Sequence, residues 1–392
     1  MKSNYKQLGQ FIRQVDVRNT EGKEENLLGV SVQKQFIPSI ANTVGTDFSK
    51  YKVVKKGQFT YIPDTSRRGD KIGIALLEDY EEGLVSNVYT VFEVIDSKEL
   101  IPEYLMLWFS RPEFDRYARF KSHGSVREVM DWDEMCKVEL PVPTYEDQKK
   151  IVESYKTITE RIALKKQIND NLEATTQAIF EDCFADYYTE TLPLPSGWKK
   201  ATFADVCQIK GGKRLPAECE FSSSATTHPY IRIRDMYQGK YLELTEDFEY
   251  VEEDVFSYIK NYIVSSGDVI IAIVGITSGE ISIIGETLDR ANLTENCVKL
   301  TKFRGVTAEY LYCYWQYLRK NGGIDPLLVG AAQPKLPMYN IQVVSVIIPD
   351  ESALSDFQKR ASNLSKEILN NLQEIKLLKE MQTLLVANIS SR

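Results

Sequence analysis

The chain is poor in the residues that build metal centres and covalent cross-links. It has six cysteines and two histidines in 392 residues, and none of the cysteines (136, 183, 207, 219, 297, 313) stands in a Cys-x-x-Cys pair. A closed zinc site is therefore not expected, and reduced thiols are the plain reading. No apolar segment follows Met1–Lys6, so no secretory leader is expected. Nor does any apolar run approach the ~20 residues that span a bilayer. The most apolar stretch, residues 269–276, reads as a buried strand. A Gly-x-x-x-x-Gly-Lys-Ser/Thr phosphate loop is absent, as are a Gly-rich dinucleotide turn and a Gly-x-Ser-x-Gly nucleophile turn. Also missing is the Asn/Asp-Pro-Pro-aromatic segment expected of an amino-methylating enzyme. The common signatures of ATPases, dehydrogenases, esterases and methyltransferases are thus all lacking.

What is present is a block that occurs twice. Ile101-Pro-Glu-Tyr-Leu recurs as Thr307-Ala-Glu-Tyr-Leu, Gly124-Ser-Val-Arg127 as Gly330-Ala-Ala-Gln333, and Pro143 as Pro349, all at an offset of 206. The helical parts that follow match at 210: Gln148 with Gln358, Ile158 with Ile368, Ile162 with Leu372, Ile179 with Ile389. Four extra residues before the second helix would account for the change. So long a period marks a duplicated domain and not a solenoid unit. Trp198 to Val206 loosely echoes Tyr5 to Ile12, and Ser266-Gly-Asp-Val-Ile-Ile271 stands in the place of Lys56-Gly-Gln-Phe-Thr-Tyr61. The framing parts look repeated, while the β-rich parts between them have diverged.

In the first copy, residues 51–54, 58–62 and 72–77 read as short strands, and 84–94 as one or two more. A helix is expected over 102–109, opened by Pro102, with a second near 112–120 and a strand around 136–140. From Asp147 the period changes. Ile151, Tyr155, Ile158, Ile162, Ile168, Leu172 and Ile179 lie mostly three, four or seven apart, which predicts a helix to Asp182 about 54 Å long. The second copy predicts another over 355–389, with Leu364, Ile368, Asn371, Ile375, Leu378, Gln382 and Leu385 in heptad spacing. Asn371 and Gln382 interrupt this seam, and Lys165 interrupts the other, where a polar residue can specify register. The natural partner of each seam is the other helix, side by side and antiparallel.

Net charge is −8, from 48 basic and 56 acidic side chains. Taken alone this opposes nucleic-acid binding, which needs Lys and Arg near phosphates. Basic residues nevertheless cluster in loops at Arg67, Arg68 and Lys71, at Lys210, Lys213 and Arg214, and at Arg232 and Arg234. Two Gly-centred loops follow equivalent helices: 121–127, with Lys121, His123 and Arg127, and 330–336, with Gln333 and Lys335. Small residues let backbone approach a phosphate closely, and Arg or Gln can read base edges. Solvated or tight structural turns are the competing reading for all of these loops. His123 and His228 both fall in polar loops and read first as surface residues. One further pattern, Pro349-Asp350 with Glu374-Ile375-Lys376, mimics a magnesium-dependent nuclease signature. Its second half falls inside the heptad helix, whereas carboxylates must converge on the metal.

With Trp198-Lys-Lys, Gly211-Gly-Lys-Arg-Leu-Pro216, Tyr230-Ile-Arg-Ile-Arg-Asp235, Ser266-Gly-Asp-Val-Ile-Ile271, residues 279–284, Tyr310-Leu311 and Gly330-Ala-Ala-Gln-Pro-Lys-Leu336 in this order, the chain resembles the specificity subunits of type I restriction-modification systems. The first copy lacks close matches to the Gly211 and Tyr230 motifs, and Lys213-Arg214-Leu215 replaces the commoner small-Pro-Ser pattern. The resemblance implies an α+β fold: two β-rich target-recognition domains in pseudo-two-fold arrangement, joined by two long antiparallel coiled-coil helices. The expected division is a first recognition domain over 1–145, the first long helix over 146–184, a linker over 185–197, a second recognition domain over 198–350 and the second long helix over 351–392.

It further implies a cytoplasmic, non-catalytic subunit that reads the two halves of a split double-stranded DNA target. Two methyltransferase subunits and restriction/translocase subunits would assemble on it. S-adenosylmethionine, ATP and magnesium would belong to those partners and none to this chain. DNA contacts are expected from the basic residues above and from Thr277, and helix-pair packing from Ile158, Ile162, Ile168, Leu172, Ile179, Leu364, Ile368, Ile375, Leu378 and Leu385. A specificity subunit for a type II-like methyltransferase-nuclease, a metal-dependent nuclease and a DNA-free scaffold are the alternatives.

Overall fold

Each copy of the repeat opens with a short strand that pairs with the strand preceding its long helix. In the first, Tyr5–Gln7 runs antiparallel to Glu139–Pro141; in the second, Lys199–Thr202 runs antiparallel to Ser345–Ile348. The computed structural model describes residues 5–39, 45–65, 71–122, 128–237, 239–330 and 334–389. It divides into two compact units, Met1–Ile162 with Leu377–Arg392, and Ala163–Lys376.

In the first unit, Ile12–Val15, Thr90–Val94, Phe59–Tyr61 and Ile74–Leu76 form an antiparallel sheet in that order. Lys52–Lys55 pairs with Glu82–Val85, and Leu28–Val30 with Phe36–Pro38. The strands are short and rich in β-branched and aromatic residues, which pack well on a pleated face. Phe59 and Phe92 stack with ring centroids 4.8 Å apart, and Phe109 meets both edge-on at 5.9 and 6.4 Å. Phe109 ends the helix Pro102–Phe109, which Pro102 opens where a missing N–H costs nothing. Burial of each such ring contributes ~2–3 kcal/mol. A second helix, Pro112–Lys121, buries Phe114 and Ala118. Its Asp115 meets the buried Lys34 at 2.8 Å, and burial holds the Lys34 ammonium below its usual range despite that partner.

The second unit has a five-stranded sheet in the order Gln208–Gly211, Cys297–Thr301, Val269–Ala272, Ile281–Ile284, Tyr241–Leu242, whose last pair is parallel. A smaller sheet sets Pro229–Ile231 between Glu249–Tyr250 and Asn292–Leu293. The helix Ala308–Lys320 is capped by Thr307, whose side chain accepts from the Tyr310 N–H at 3.2 Å. Tyr310, Leu311 and Trp315 enter the core beside Phe180, Phe184 and Phe203. A buried polar cluster joins strand, helix and long helices: Lys240 Nζ pairs with Glu309 and donates to Ser365 Oγ at 3.0 Å. Tyr241 OH donates to Glu309 at 3.3 Å, and Glu173 accepts from the Lys240 N–H at 2.9 Å. Gly239, at φ 96°, lets the backbone come close to Glu173; a Cβ there would lie 2.8 Å from its Oε1.

The long helices run from Tyr145 to Tyr188, 44 residues, and from Glu351 to Asn388, 38 residues. They pair antiparallel within each unit. In the first, Gln382 donates to Thr159 at 2.7 Å. In the second, Lys165 meets Glu374 at 2.9 Å and donates to Asn371 at 2.8 Å, while Asn371 donates to Asn169 at 2.8 Å. The polar seam positions thus satisfy one another, as buried polar groups require. Ile162, Ile368, Ile375 and Leu378 are buried; Ile158, Ile168, Leu172, Ile179, Leu364 and Leu385 are half-buried. Phe180, Phe184, Phe357 and Ala361, which the heptad reading passed over, are buried as well.

Equivalent hydrogen bonds anchor the two copies of the repeat. Tyr104 OH donates to Pro141 O at 3.0 Å and Tyr310 OH to Ile347 O at 2.9 Å, both ends displaced by 206. The Leu8 N–H donates to Val138 O and the Phe203 N–H to Val344 O. That sets the N-terminal echo at an offset of 195, two residues from the match of Tyr5 with Trp198. The Gly57 and Gly267 turns do match at 210: each glycine N–H bonds back to the sheet, to Leu77 O and Ile284 O.

The offset of 210 for the long helices is corrected to 206, and there is no four-residue insertion before the second. The helices start at Tyr145 and Glu351, 206 apart, and burial matches at that spacing: Ile151 with Phe357, Ile162 with Ile368, Asn169 with Ile375. Gln148 accepts from the Ile101 N–H at 2.8 Å, whereas Gln358 Oε1 has no hydrogen-bond partner among the described residues, so those two glutamines are not equivalent. A shift of four residues is about one helical turn and keeps the same face, so apolar spacing alone barely separates the registers.

Three local expectations also change. Cys136 lies in a helical turn, Trp132–Lys137, started by Asp131, whose carboxylate accepts from the Glu134 N–H at 2.8 Å; the strand is only Glu139–Pro141. The run 269–276 leaves its sheet after Ala272, because Gly275 turns at φ 83° and bonds to Pro334 O, leaving Ile276 98% exposed. Residues 185–188 of the expected linker continue the first long helix. Among the described residues no helix is long and apolar enough to cross a membrane.

Candidate nucleic-acid interface

The motif Gly211-Gly-Lys-Arg leaves the edge strand Gln208–Gly211 under a tight constraint. A Cβ on Gly212 would lie 2.0 Å from Thr294 O and 2.3 Å from Leu293 O, so only glycine fits. The Gly212 N–H donates to Cys297 O at 3.1 Å and the Lys213 N–H to Leu293 O at 2.8 Å. The backbone is thereby pressed flat against residues 293–297. Lys210, Lys213 and Arg214 are all exposed. Arg214 pairs with Glu295 at 2.6 Å, and Lys213 Nζ sits 5.8 Å above the Tyr262 ring.

The next turn in this series carries a second loop. Ile273 N–H donates to Asn296 O, and Leu336 N–H to Ile273 O, both at 2.9 Å. Residues 274–278 then close against Pro334 and Lys335: Gly275 N–H donates to Pro334 O at 2.9 Å, Ser278 Oγ to Pro334 O at 3.2 Å, and Val274 bridges Lys335. Trp315 Nε1 fixes the base by donating to Gly279 O at 2.8 Å. Thr277 is half-buried, its hydroxyl turned toward Val274 O, and Lys335 is exposed. Two loops far apart in sequence are thus one hydrogen-bonded edge, with the Gly211 motif at its other end.

Arg232 and Arg234 follow strand Pro229–Ile231 and converge on one carboxylate, Glu249, at 2.9 and 3.1 Å. Arg232 also stacks on Phe221, 5.0 Å from the ring centre. Asp235 is buried below them and accepts from the Arg232 N–H at 2.7 Å; burial pushes its carboxyl up to about 7. The candidates therefore fall into two groups. Arg214, Arg232 and Arg234 are engaged by carboxylates of their own chain, whereas Lys71, Lys210, Lys213 and Lys335 form no ion pair among the described residues.

In the first unit, Lys121 ends the helix Pro112–Lys121, 3.8 Å from Glu134 and 5.9 Å above Tyr117, and Lys71 is exposed. Arg67, Arg68, His123, Arg127 and Gln333 lie outside the described residues. His228 is largely covered: it bonds to Glu253 at 2.7 Å and stacks on Phe256 at 3.9 Å.

The acidic pattern that mimics a nuclease is not a site. Asp350 accepts from the Ala353 N–H at 2.8 Å as a helix cap, and Glu374 pairs with Lys165. Twenty-four residues of helix separate them, about 36 Å at the helical rise, so they cannot share an ion. No group of three or more metal-ligating side chains occurs among the described residues. The buried ion pairs Lys34–Asp115 and Lys240–Glu309 were missed in the sequence, where no motif or spacing marks them.

Comparison with known proteins shows the family and the fold. The profile of the type I restriction modification DNA specificity domain matches the chain twice, over residues 9–174 and 195–379. The specificity subunit of the type I restriction enzyme MjaIX of Methanocaldococcus jannaschii is 22% identical over 317 residues, covering 76% of this chain and 70% of that one. The specificity subunit of the type I restriction enzyme HindI of Haemophilus influenzae is 20% identical over 408 aligned positions, covering 86% of each. The crystal structure of a type I restriction-modification system S subunit from M. genitalium shares the fold. It has a TM-score of 0.51 and 14% identity over 98% of this chain and 95% of that one.

Proposed function

Because this chain belongs to the type I restriction-modification DNA specificity family, we propose that it is a sequence-specific DNA-binding subunit whose two copies each read one half of a split target. The double match of the family profile carries this reading. Lys210, Lys213 and Lys335, exposed and in no ion pair among the described residues, would hold phosphates and set register, as phosphate contacts do. Arg214, Arg232 and Arg234, pre-positioned by Glu295 and Glu249, would exchange those partners for base edges or phosphate. The net charge of −8 fits weak binding by the chain alone, with partner subunits supplying much of the clamp.

The long helices would fix the separation of the two readers and offer the platform for two methyltransferase subunits, with restriction/translocase subunits joining them. DNA of the wrong spacing would have to bend or twist, which costs energy. Two modest half-site affinities would combine through effective concentration. The chain itself is cytoplasmic and non-catalytic in this reading. S-adenosylmethionine, ATP and magnesium serve the partners.

Co-expression with a type I methyltransferase subunit, followed by genome-wide mapping of methyladenine, tests the proposal. A single bipartite motif that disappears when this chain is omitted is the expected result. Methylation at the same sites without this chain would sink it.

A further inference from the structure

The loop at residues 274–279 carries an apolar side chain that the fold has no use for. Ile276 is 98% exposed at its tip, although β-branched apolar residues are among those most often found inside. A single exposed isoleucine on a loose loop would mean little. This loop is held at both shoulders and at its base: Gly275 N–H and Ser278 Oγ both donate to Pro334 O, Ser278 Oγ also donates to Gly275 O at 2.8 Å, and Gly279 O accepts from Trp315 Nε1. The isoleucine is thus presented rigidly, at low entropic cost to any group that covers it.

The surroundings indicate which group that is. Lys335 is bridged to Val274, two residues from Ile276, and is exposed with no ion pair among the described residues. The nearest carboxylate along the chain, Glu280, is neutralised by Arg319 through contacts of 3.0 and 2.5 Å. An apolar point beside an ammonium that has no ion pair among the described residues matches a feature of duplex DNA: the thymine C5-methyl, which lines the major groove a short way from the phosphates.

We propose that Ile276 is a base-reading residue that packs on a thymine methyl in one half of the target, with Lys335 on a neighbouring phosphate. This rests on the DNA-reading function proposed above and names a specificity determinant within it. Ile276 discriminates thymine from cytosine by contact with the methyl group and makes no hydrogen bond to the base.

The test uses the chain in complex with its methyltransferase and the target sequence found by methyladenine mapping. Each thymine of the duplex, on either strand, is replaced singly by uracil, which removes only the methyl. With the wild-type chain, replacement at one position in one half-site lowers binding about fourfold, the worth of one buried methyl. The Ile276→Ala complex binds the parent duplex about fourfold or more weakly and is indifferent to that replacement, while its response at every other position is unchanged. Ile276 is exposed, so the variant melts with the wild type, and weakened binding is not misfolding. The proposal is overturned if no uracil position loses its effect in Ile276→Ala. If the wild-type complex shows no sequence preference at all, the DNA-reading function itself falls, and the two failures are distinguishable.

Discussion

Replacing Lys240 by methionine tests whether the second unit depends on its buried polar cluster. The Lys240 side chain is wholly buried and Glu309 nearly so, and their ion pair is completed by Ser365. Removing the ammonium leaves the Glu309 carboxylate in the interior with two hydroxyl donors, Ser365 Oγ at 3.1 Å and Tyr241 OH at 3.3 Å. Breaking a buried pair from one side costs about 3–5 kcal/mol, because the remaining charge is uncompensated. For a unit of this size, ~2–4 °C per kcal/mol gives a fall in melting temperature of about 6–20 °C. Lys240→Met and Glu309→Leu together restore much of the loss, since an apolar pair of similar volume removes both charges. Urea unfolding followed by circular dichroism reads the loss, and hydrogen exchange at Ile281–Ile284 and Ala308–Lys320 assigns it to this unit. A single-variant loss below ~1 kcal/mol, or a double variant equal to the sum of the singles, would refute the reasoning.

Three further outcomes follow from other elements. Gly212→Ala loosens the edge that carries Lys213 and Arg214, because its Cβ would meet Thr294 O at 2.0 Å. A loss of at least ~2 kcal/mol in urea unfolding is expected, as for overpacking against backbone, and a loss below ~0.5 kcal/mol would contradict the close approach. Asp235 binds its proton more tightly when folded, with its pKa raised by burial to about 7. The folded chain therefore holds more protons than the unfolded one between about pH 4 and 7, and the contribution of Asp235 to stability falls as pH rises through that window. The urea midpoint should decline less steeply from pH 5 to pH 8 in Asp235→Asn than in wild type, and parallel profiles would count against it. Adding one heptad to both long helices lengthens each by about 10.5 Å, about three base pairs of duplex. Methylation mapping should find both half-sites unchanged and the spacer longer, and an unchanged spacer would remove the helices from that role.

The framework was legible in the sequence because its signals are local or periodic. Pro102 opening a helix, the glycines of the turns and the heptad seams all act within a few residues of themselves. The register of the long helices was not, since a slip of four residues leaves the apolar face in place; where the helices start, which seam residues are buried and the unlike bonding of Gln148 and Gln358 decide it. Val269–Ala272 was visible as a buried strand, but its end was not: what turns the chain out at Gly275 is a bond to Pro334, about sixty residues away. The same holds for the basic loops. Their charges can be read off the sequence, yet whether an arginine is already engaged depends on where the strand bearing Glu249 or the turn bearing Glu295 returns. Lys34 and Lys240 look like ordinary surface lysines until folding buries them against Asp115 and Glu309.

The molecule uses one tool twice, each copy reading its own half of the target. Exchanging residues 191–345 for the corresponding segment of a relative, and mapping methyladenine in cells that express the chimera with its methyltransferase, addresses this most directly. One half of the motif should change, with the other half and the spacer as before. A change in both halves, or in neither, would contradict the account.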